Sequence, residues 1–232
     1  MIPDLTKREL ETPRHACDLF DWVRGIHGEF GKTNEGKKAM RLYSKPYSKK
    51  FCEEIWPLAI YAKIFFGNRS DVSFKPVIGN QSHDAVLVED KSGETLMYFE
   101  ITQALDEKAG YQERLRMEHL DKYGHAPTTG PPLMRVKSGV VQQEAEASLN
   151  RDWVAETICL IRKAIQKKAQ KSYRRDTVLI VQISDSSPFW FQEGYEKRFD
   201  AAAKADLCQL ASAFSELALV GSEKFCLRYV KP

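Results

Sequence analysis

Apolar residues recur at helical spacing from Glu11 to Gly25, where Cys17, Leu19, Phe20, Trp22 and Val23 make one side of an amphipathic helix. A second helix is predicted over Lys50–Phe66. Within it Pro57 marks either a kink or the true first turn, and Gly67-Asn68-Arg69-Ser70 stops it. The pattern then shortens to strand length: Val72–Ile78, with Pro76 pointing to an edge or a bulge, then runs near 84–90 and 95–102. Asp106–Tyr123 is charged and helix-permissive, and Gly124 ends it. A loop over residues 125–132 precedes a long helix predicted over Gln142–Tyr173, in which Trp153, Val154, Ile158, Ile161 and Ile165 keep helical spacing. Thr177–Ser184 is a continuous apolar run suited to a buried central strand. Arg198–Phe214 reads as a helix, and Leu217–Val220 and Phe225–Val230 as closing strands. The order is α/β, with strands clustered in the middle of the chain.

Two acids stand at the edges of the hairpin runs. Asp84 opens Ala85–Val88, Glu100 closes Leu96–Phe99, and Lys91-Ser92-Gly93-Glu94 between them is a turn signal. In a hairpin the start of one strand lies beside the end of the next, so Asp84 and Glu100 are expected to face each other. Two carboxylates on neighbouring strands form an oxygen site for a hard cation, Mg²⁺ or Mn²⁺; the alternative is a surface hairpin with two unrelated acids. Alternation returns Thr102 to the face of Glu100, while Gln103 faces away unless the strand ends there. Glu53 or Glu54, on the apolar second helix, is a further candidate ligand. Glu53 shares a face with Trp56, Ile60 and Ile64, and a carboxylate so placed needs a partner or a metal. The alternative is an acid favoured by the positive end of the helix dipole. His83 is either a ligand or proton shuttle, or a strand-end histidine.

Composition narrows the setting. In 232 residues, 43% are hydrophobic and 29% charged, enough for one large domain or one domain with an appended arm. No run approaches the roughly 18 apolar residues of a membrane span, and Met1-Ile2-Pro3-Asp4 is unlike a signal peptide. The five cysteines are odd in number, widely spaced and free of any Cys-x-x-Cys pair, which argues for a reducing cytoplasm and against a zinc or disulfide framework. A net charge of +3 is too small to argue for nucleic acid, but its distribution is uneven. Between Gly31 and Lys50 lie Lys32, Lys37, Lys38, Arg41, Lys45, Lys49 and Lys50 against Glu35 alone, interleaved with Tyr43 and Tyr47. Such a segment either contacts phosphates and bases or is a solvated basic loop.

An Asp opening the second strand and a Glu followed by a polar residue closing the third resemble the PD-(D/E)xK nuclease superfamily, the restriction-endonuclease-like fold. The resemblance spans most of residues 50–230 and implies an αβββαβ core: a central mixed sheet flanked by helices, with an N-terminal helical and basic extension. It implies a nuclease domain over 50–232, with a loop insertion near 124–141 and an arm over 1–49. It implies that Asp84 and Glu100 bind the metal, with Glu53 or Glu54 in support. His83 stands where the motif has Pro, a minor departure. Thr102 stands where the motif has Lys, a serious one, because a hydroxyl carries no positive charge. Substitutes for the lysine are Gln103, Lys108 and the long-helix lysines Lys163, Lys167, Lys168 and Lys171, with Lys168 and Lys171 the better placed.

The reading these residues support is a Mg²⁺-dependent (or Mn²⁺-dependent) nuclease, cutting DNA in preference to RNA, in phage defence or repair, as a homodimer or a subunit of a larger complex. Asp84 and Glu100 hold the metal and Thr102 or Gln103 orients the water. Lys37, Lys38, Lys49, Lys50, Lys168 and Lys171 contact nucleic acid. Two rivals stand beside it: a catalytically inactive nucleic-acid-binding or assembly module on the same fold, and an unrelated α/β interaction protein.

Overall fold

The computed structural model of the chain describes residues 5–105, 107–124, 133–135, 141–143, 152–183, 194–221 and 225–230. In chain order the elements are α1 (Lys7–Glu11), β1 (Arg14–His15), α2 (Ala16–Gly31), α3 (Asn34–Leu42), α4 (Ser48–Lys50), a π-helical turn (Phe51–Ile55), α5 (Trp56–Phe66), β2 (Val72–Pro76), β3 (Ala85–Glu89), β4 (Thr95–Gln103), α6 (Glu107–Tyr123), β5 (Leu133–Arg135), β6 (Val141–Gln143), α7 (Trp153–Ala169), β7 (Thr177–Gln182), α8 (Tyr195–Ala202), a second π-helical turn (Ala203–Leu207), α9 (Cys208–Leu210), β8 (Glu216–Val220) and β9 (Cys226–Val230).

Seven strands form one mixed sheet in the order β1-β2-β3-β4-β7-β8-β9, and β5 and β6 make a separate antiparallel pair. β1 to β4 pair antiparallel, β4, β7 and β8 pair parallel, and β9 returns antiparallel on β8. β7 is central and parallel to both neighbours, so it must be covered on both faces, which is why Thr-Val-Leu-Ile-Val carries no alternation. The β3–β4 turn takes a left-handed Gly93, φ 71°, and a bulge between Leu87 and Val88 shifts the register above it.

Each sheet face has its own core. On one, Phe74, Leu87, Phe99, Ile101, Val178 and Ile180 pack under α2 and α5. Phe99 is fully buried, and truncating it to Ala is expected to cost about 3–5 kcal/mol. On the other, Leu179, Val181, Leu217 and Leu219 pack under Val154, Ile161 and Ile165 of α7 and Phe199 of α8. α5 is apolar almost all round because it is sandwiched between the sheet and α2. Among the described residues no helix is long and apolar enough to cross a membrane.

Several expectations change. The first helix breaks at Thr12-Pro13: α1 ends there, Arg14 and His15 join the sheet, and α2 runs on to Gly31. Proline has no N–H with which to continue a helix. Within the described residues 5–49, Leu10, Leu19, Val23, Phe30 and Met40 belong to the same core as the sheet. Residues 34–42 of the basic segment form a capped helix, and a turn with Tyr43 and Tyr47 at positive φ joins it to α4. Thr33 accepts from the Gly36 N–H at 3.0 Å, and a Cβ at Gly36 would meet the Phe30 carbonyl oxygen at 2.2 Å. The long helix begins only at Trp153, where the Asp152 side chain accepts from the Ala155 N–H; Gln142 lies in β6. The predicted helix 198–214 starts earlier, passes through a π-helical turn and ends at Leu210. Pro57 neither starts nor ends the helix: the run is helical from Ser48 to Phe66, and the N–H that Pro57 lacks falls directly after the π-helical turn. Most of the 124–141 insertion, His125, Asp185 and the aromatic run around Trp190 lie outside the described residues.

Candidate active site

Asp84 sits where β3 leaves the ladder. Its N–H donates to the Phe99 carbonyl at 2.7 Å and its carbonyl accepts from the Val77 N–H at 2.8 Å. Its side-chain Oδ2 accepts from the Ile101 N–H at 2.8 Å, so the carboxylate replaces a backbone acceptor that β3 would otherwise supply. Ala85 pairs with Phe99, which sets Asp84 opposite Glu100 on the neighbouring strand. Phe99 and Ile101 point into the α2/α5 core, so alternation turns Glu100 toward α7.

Glu100 is only 6% exposed. Lys168, near the C-terminal end of α7, donates its ammonium to Glu100 Oε1, and the Tyr173 hydroxyl lies 3.4 Å from the same oxygen. Glu54 arrives from the first π-helical turn, closed by the Trp56 N–H to the Phe51 carbonyl, an i→i+5 step common at functional sites. Both Glu54 oxygens accept from Lys50 Nζ at 2.6 Å, and Lys50 Nζ also lies 3.7 Å from Asp84 Oδ1.

Three acids therefore crowd two lysines. Burial pushes the Glu54 carboxyl up to about 7, and the charge of Asp84 adds to this against the opposing pull of Lys50 and Lys168. Burial also raises Glu100; Lys168 opposes the rise and Asp84 adds to it. Burial lowers Lys50, but Glu54 and Asp84 together outweigh that and raise it. Burial first, then Glu100, raises the Tyr173 phenol. Asp84 acts on Glu54, Glu100, Lys50 and Tyr173 alike, which ties them into one electrostatic unit.

The remaining candidates separate. Glu53 has Lys49 Nζ at 3.8 Å; of the helix acids, Glu54 is the one whose lysine partner reaches Asp84. Thr102 follows Glu100 on the same face, in register with Val181. Gln103 stays in regular strand, so it faces the opposite core and its amide donates to Gln182 Oε1 at 3.0 Å; it is not beside the acids. Lys37 and Lys38 are exposed on α3, whereas Lys50 lies inside the acidic unit and not on a basic arm. Lys171 is exposed, and its charge acts on Glu100. His119, on α6, stacks on Tyr123.

Sequence reasoning missed the inward turn of Lys50. The signal for Lys168 was legible: it follows Ile161 and Ile165 on the buried face of α7 at steps of four and three. Lysine seldom occupies such a position without a partner.

Among the described residues, no group of three or more His, Cys, Asp and Glu is arranged to hold a metal ion. Mg²⁺, however, commonly uses one or two carboxylates and keeps several waters. Asp84 and Glu100 are hard oxygen donors on adjoining strands whose mutual repulsion a cation would relieve, so they fit such an ion. No protein-family model, curated protein or solved structure matches the chain, and the functional reading rests on these residues.

Proposed function

We propose that this chain is a Mg²⁺- or Mn²⁺-dependent nuclease of the PD-(D/E)xK type, acting on DNA in preference to RNA. In this reading Lys168 from α7 takes the place of the motif lysine that Thr102 lacks. The observation that carries it is the Lys168 ammonium on Glu100, directly across the strand pair from Asp84. Asp84 and Glu100 would hold the cation. When bound, the cation polarises a phosphoryl oxygen and lowers the pKa of water. Lys168, released from Glu100, offsets charge on the phosphate at the moment of attack. Glu54, held by Lys50 beside Asp84, is placed to accept the proton of the attacking water. Water then adds to phosphorus, the P–O ester bond breaks, and the leaving alkoxide takes up a proton.

Removing the ammonium tests this. Lys168→Met is expected to slow cleavage at least about a hundredfold, and the double variant Lys168→Met/Thr102→Lys to recover part of the loss. Native rates in both variants would remove Lys168 from the chemistry. One observation favours the inactive-module reading: Asp84 Oδ2 already serves as the acceptor for Ile101. A module of that kind binds nucleic acid without cutting it and is indifferent to Mn²⁺.

A further inference from the structure

Next to the acid pair on the same sheet face lies a second row of side chains. Lys75, Val86 and Tyr98 are in register across β2, β3 and β4, one alternation from Asp84 and Glu100, about 7 Å along the strands. Tyr98 belongs to neither hydrophobic core and is partly buried. The exposed Arg174, just beyond α7, lays its guanidinium over the Tyr98 ring at 4.6 Å from the centroid and donates to its hydroxyl at 2.7 Å. His83, next to Asp84, meets the ring edge-on at 5.0 Å. Outward along the row, the exposed Lys75 lines an open depression with Lys7, Arg8 and Glu11, the last paired with Lys7 at 3.8 Å.

We infer that Tyr98, Arg174 and His83 form a subsite for the nucleotide adjoining the scissile phosphate, and that it takes unpaired nucleic acid. The inference rests on the nuclease reading for the position of the cut, but its own support is separate. A core tyrosine would be packed among apolar side chains; this one is flanked by a cation and an imidazole at the rim of the acid site. Arg174 offers N–H donors for a phosphate oxygen, and the Arg–Tyr stack offers a flat surface for a base. Bases inside a duplex have both faces covered by their neighbours, so only an unpaired base can use that surface. Lys75, with Arg8 beyond it, continues the track for the next phosphates.

The test measures binding without cutting. A fluorescein-labelled oligothymidylate of ten nucleotides and a duplex of the same length are titrated with the full chain in EDTA, followed by anisotropy. Tyr98→Ala is expected to weaken single-strand binding about tenfold, the ordinary loss for one stacked base, and Arg174→Ala about fivefold or more, with a salt slope smaller by about 0.7. Tyr98→Phe should stay within about twofold of native, since it keeps the ring. Duplex affinity should be unchanged by Tyr98→Ala. Thermal melting shows whether each variant is folded, and Tyr98→Phe/Arg174→Ala keeps the test open should Tyr98→Ala unfold. Equal single-strand affinity in native, Tyr98→Ala and Arg174→Ala proteins overturns the subsite, as does a loss confined to duplex or no binding by the native chain. If native protein cuts and the variants bind normally, the subsite fails and the nuclease reading stands. If the variants lose binding and nothing is cut in Mg²⁺ or Mn²⁺, the subsite stands and the nuclease reading fails.

Discussion

Two carboxylates in this sheet have nearly the same partners and different surroundings. Glu216 on β8 is 3% exposed; it accepts from the Tyr61 hydroxyl at 2.6 Å and pairs with Arg228 at 2.8 Å. Glu100 on β4 is 6% exposed, with the Tyr173 hydroxyl and the Lys168 ammonium as partners. Each has one tyrosine and one cation. Glu216, however, meets a planar, always-charged guanidinium, and it joins α5 to two strands across the core face. Glu100 meets a flexible ammonium from α7, and Asp84 and Glu54 add charge beside it. The first arrangement is closed and structural. The second holds clustered negative charge and a cation that can leave, which suits a group that must exchange partners during a reaction.

Substitution should separate the two most sharply in catalysis. Asp84→Ala and Glu100→Ala are each expected to reduce Mg²⁺-dependent cleavage at least about a thousandfold, roughly 4 kcal/mol of barrier, with the fold intact by circular dichroism. Glu216→Gln is expected to leave cleavage within about threefold of native. Full activity in Glu100→Ala would remove Glu100 from the site and collapse the distinction.

Stability should reverse that order. Glu216→Ala is expected to cost about 3 kcal/mol in urea unfolding, the lower end for breaking a buried pair because Arg228 is a third exposed. Glu216→Gln/Arg228→Met should recover most of it. Glu100→Gln should change stability by less than about 1 kcal/mol, since it also removes one of three mutually repelling acids.

The acid unit should also respond to pH. The Glu54 carboxyl, raised from the usual 4.5 to about 7, and the raised Glu100 hold protons in the folded state that the unfolded chain has already released. Their contribution to stability is fully present below about pH 4.5 and is lost as pH rises toward 7 and beyond. Mg²⁺ should restore it, so the gain in melting temperature on adding Mg²⁺ is expected to be larger at pH 8 than at pH 5.5, and flatter in Glu54→Gln. An equal gain at both pH values would show that these acids do not meet the cation.

The smallest effect is expected on α3. Lys37→Gln/Lys38→Gln should lower the slope of log affinity against log salt by up to about 0.9 per lost phosphate contact on duplex DNA. Lys49 and Lys50 are excluded from this set, since their charges face Glu53 and Glu54. An unchanged slope would leave α3 as a solvated surface.

The strands around the acids were legible because each is short, apolar and bounded by a turn signal, and Asp84 and Glu100 sit at the edges that hairpin geometry brings together. The buried, interior position of β7 followed from its unbroken apolar run; its parallel pairing with β4 came from the structure. The N-terminal half was read less well. Two-residue β1 carries no periodicity, and Leu10, Phe30 and Met40 reach the core from segments whose local composition is polar. The inward turn of Lys50 could not be seen because it depends on a π-helical turn, which shifts side chains off regular helical spacing. Gln103 was misjudged in one of its two options: β4 runs three residues past Glu100, and alternation carries the amide to the opposite face.

The most direct measurement is single-turnover cleavage of an end-labelled single strand by excess native protein, run in parallel with Mn²⁺, with EDTA, and with Lys168→Met in Mn²⁺. Cleavage that requires the cation and falls at least about a hundredfold in Lys168→Met is the expected result. A strand that is bound yet stays uncut in Mg²⁺ and Mn²⁺ would contradict the catalytic reading and leave the acid pair as a binding or structural device.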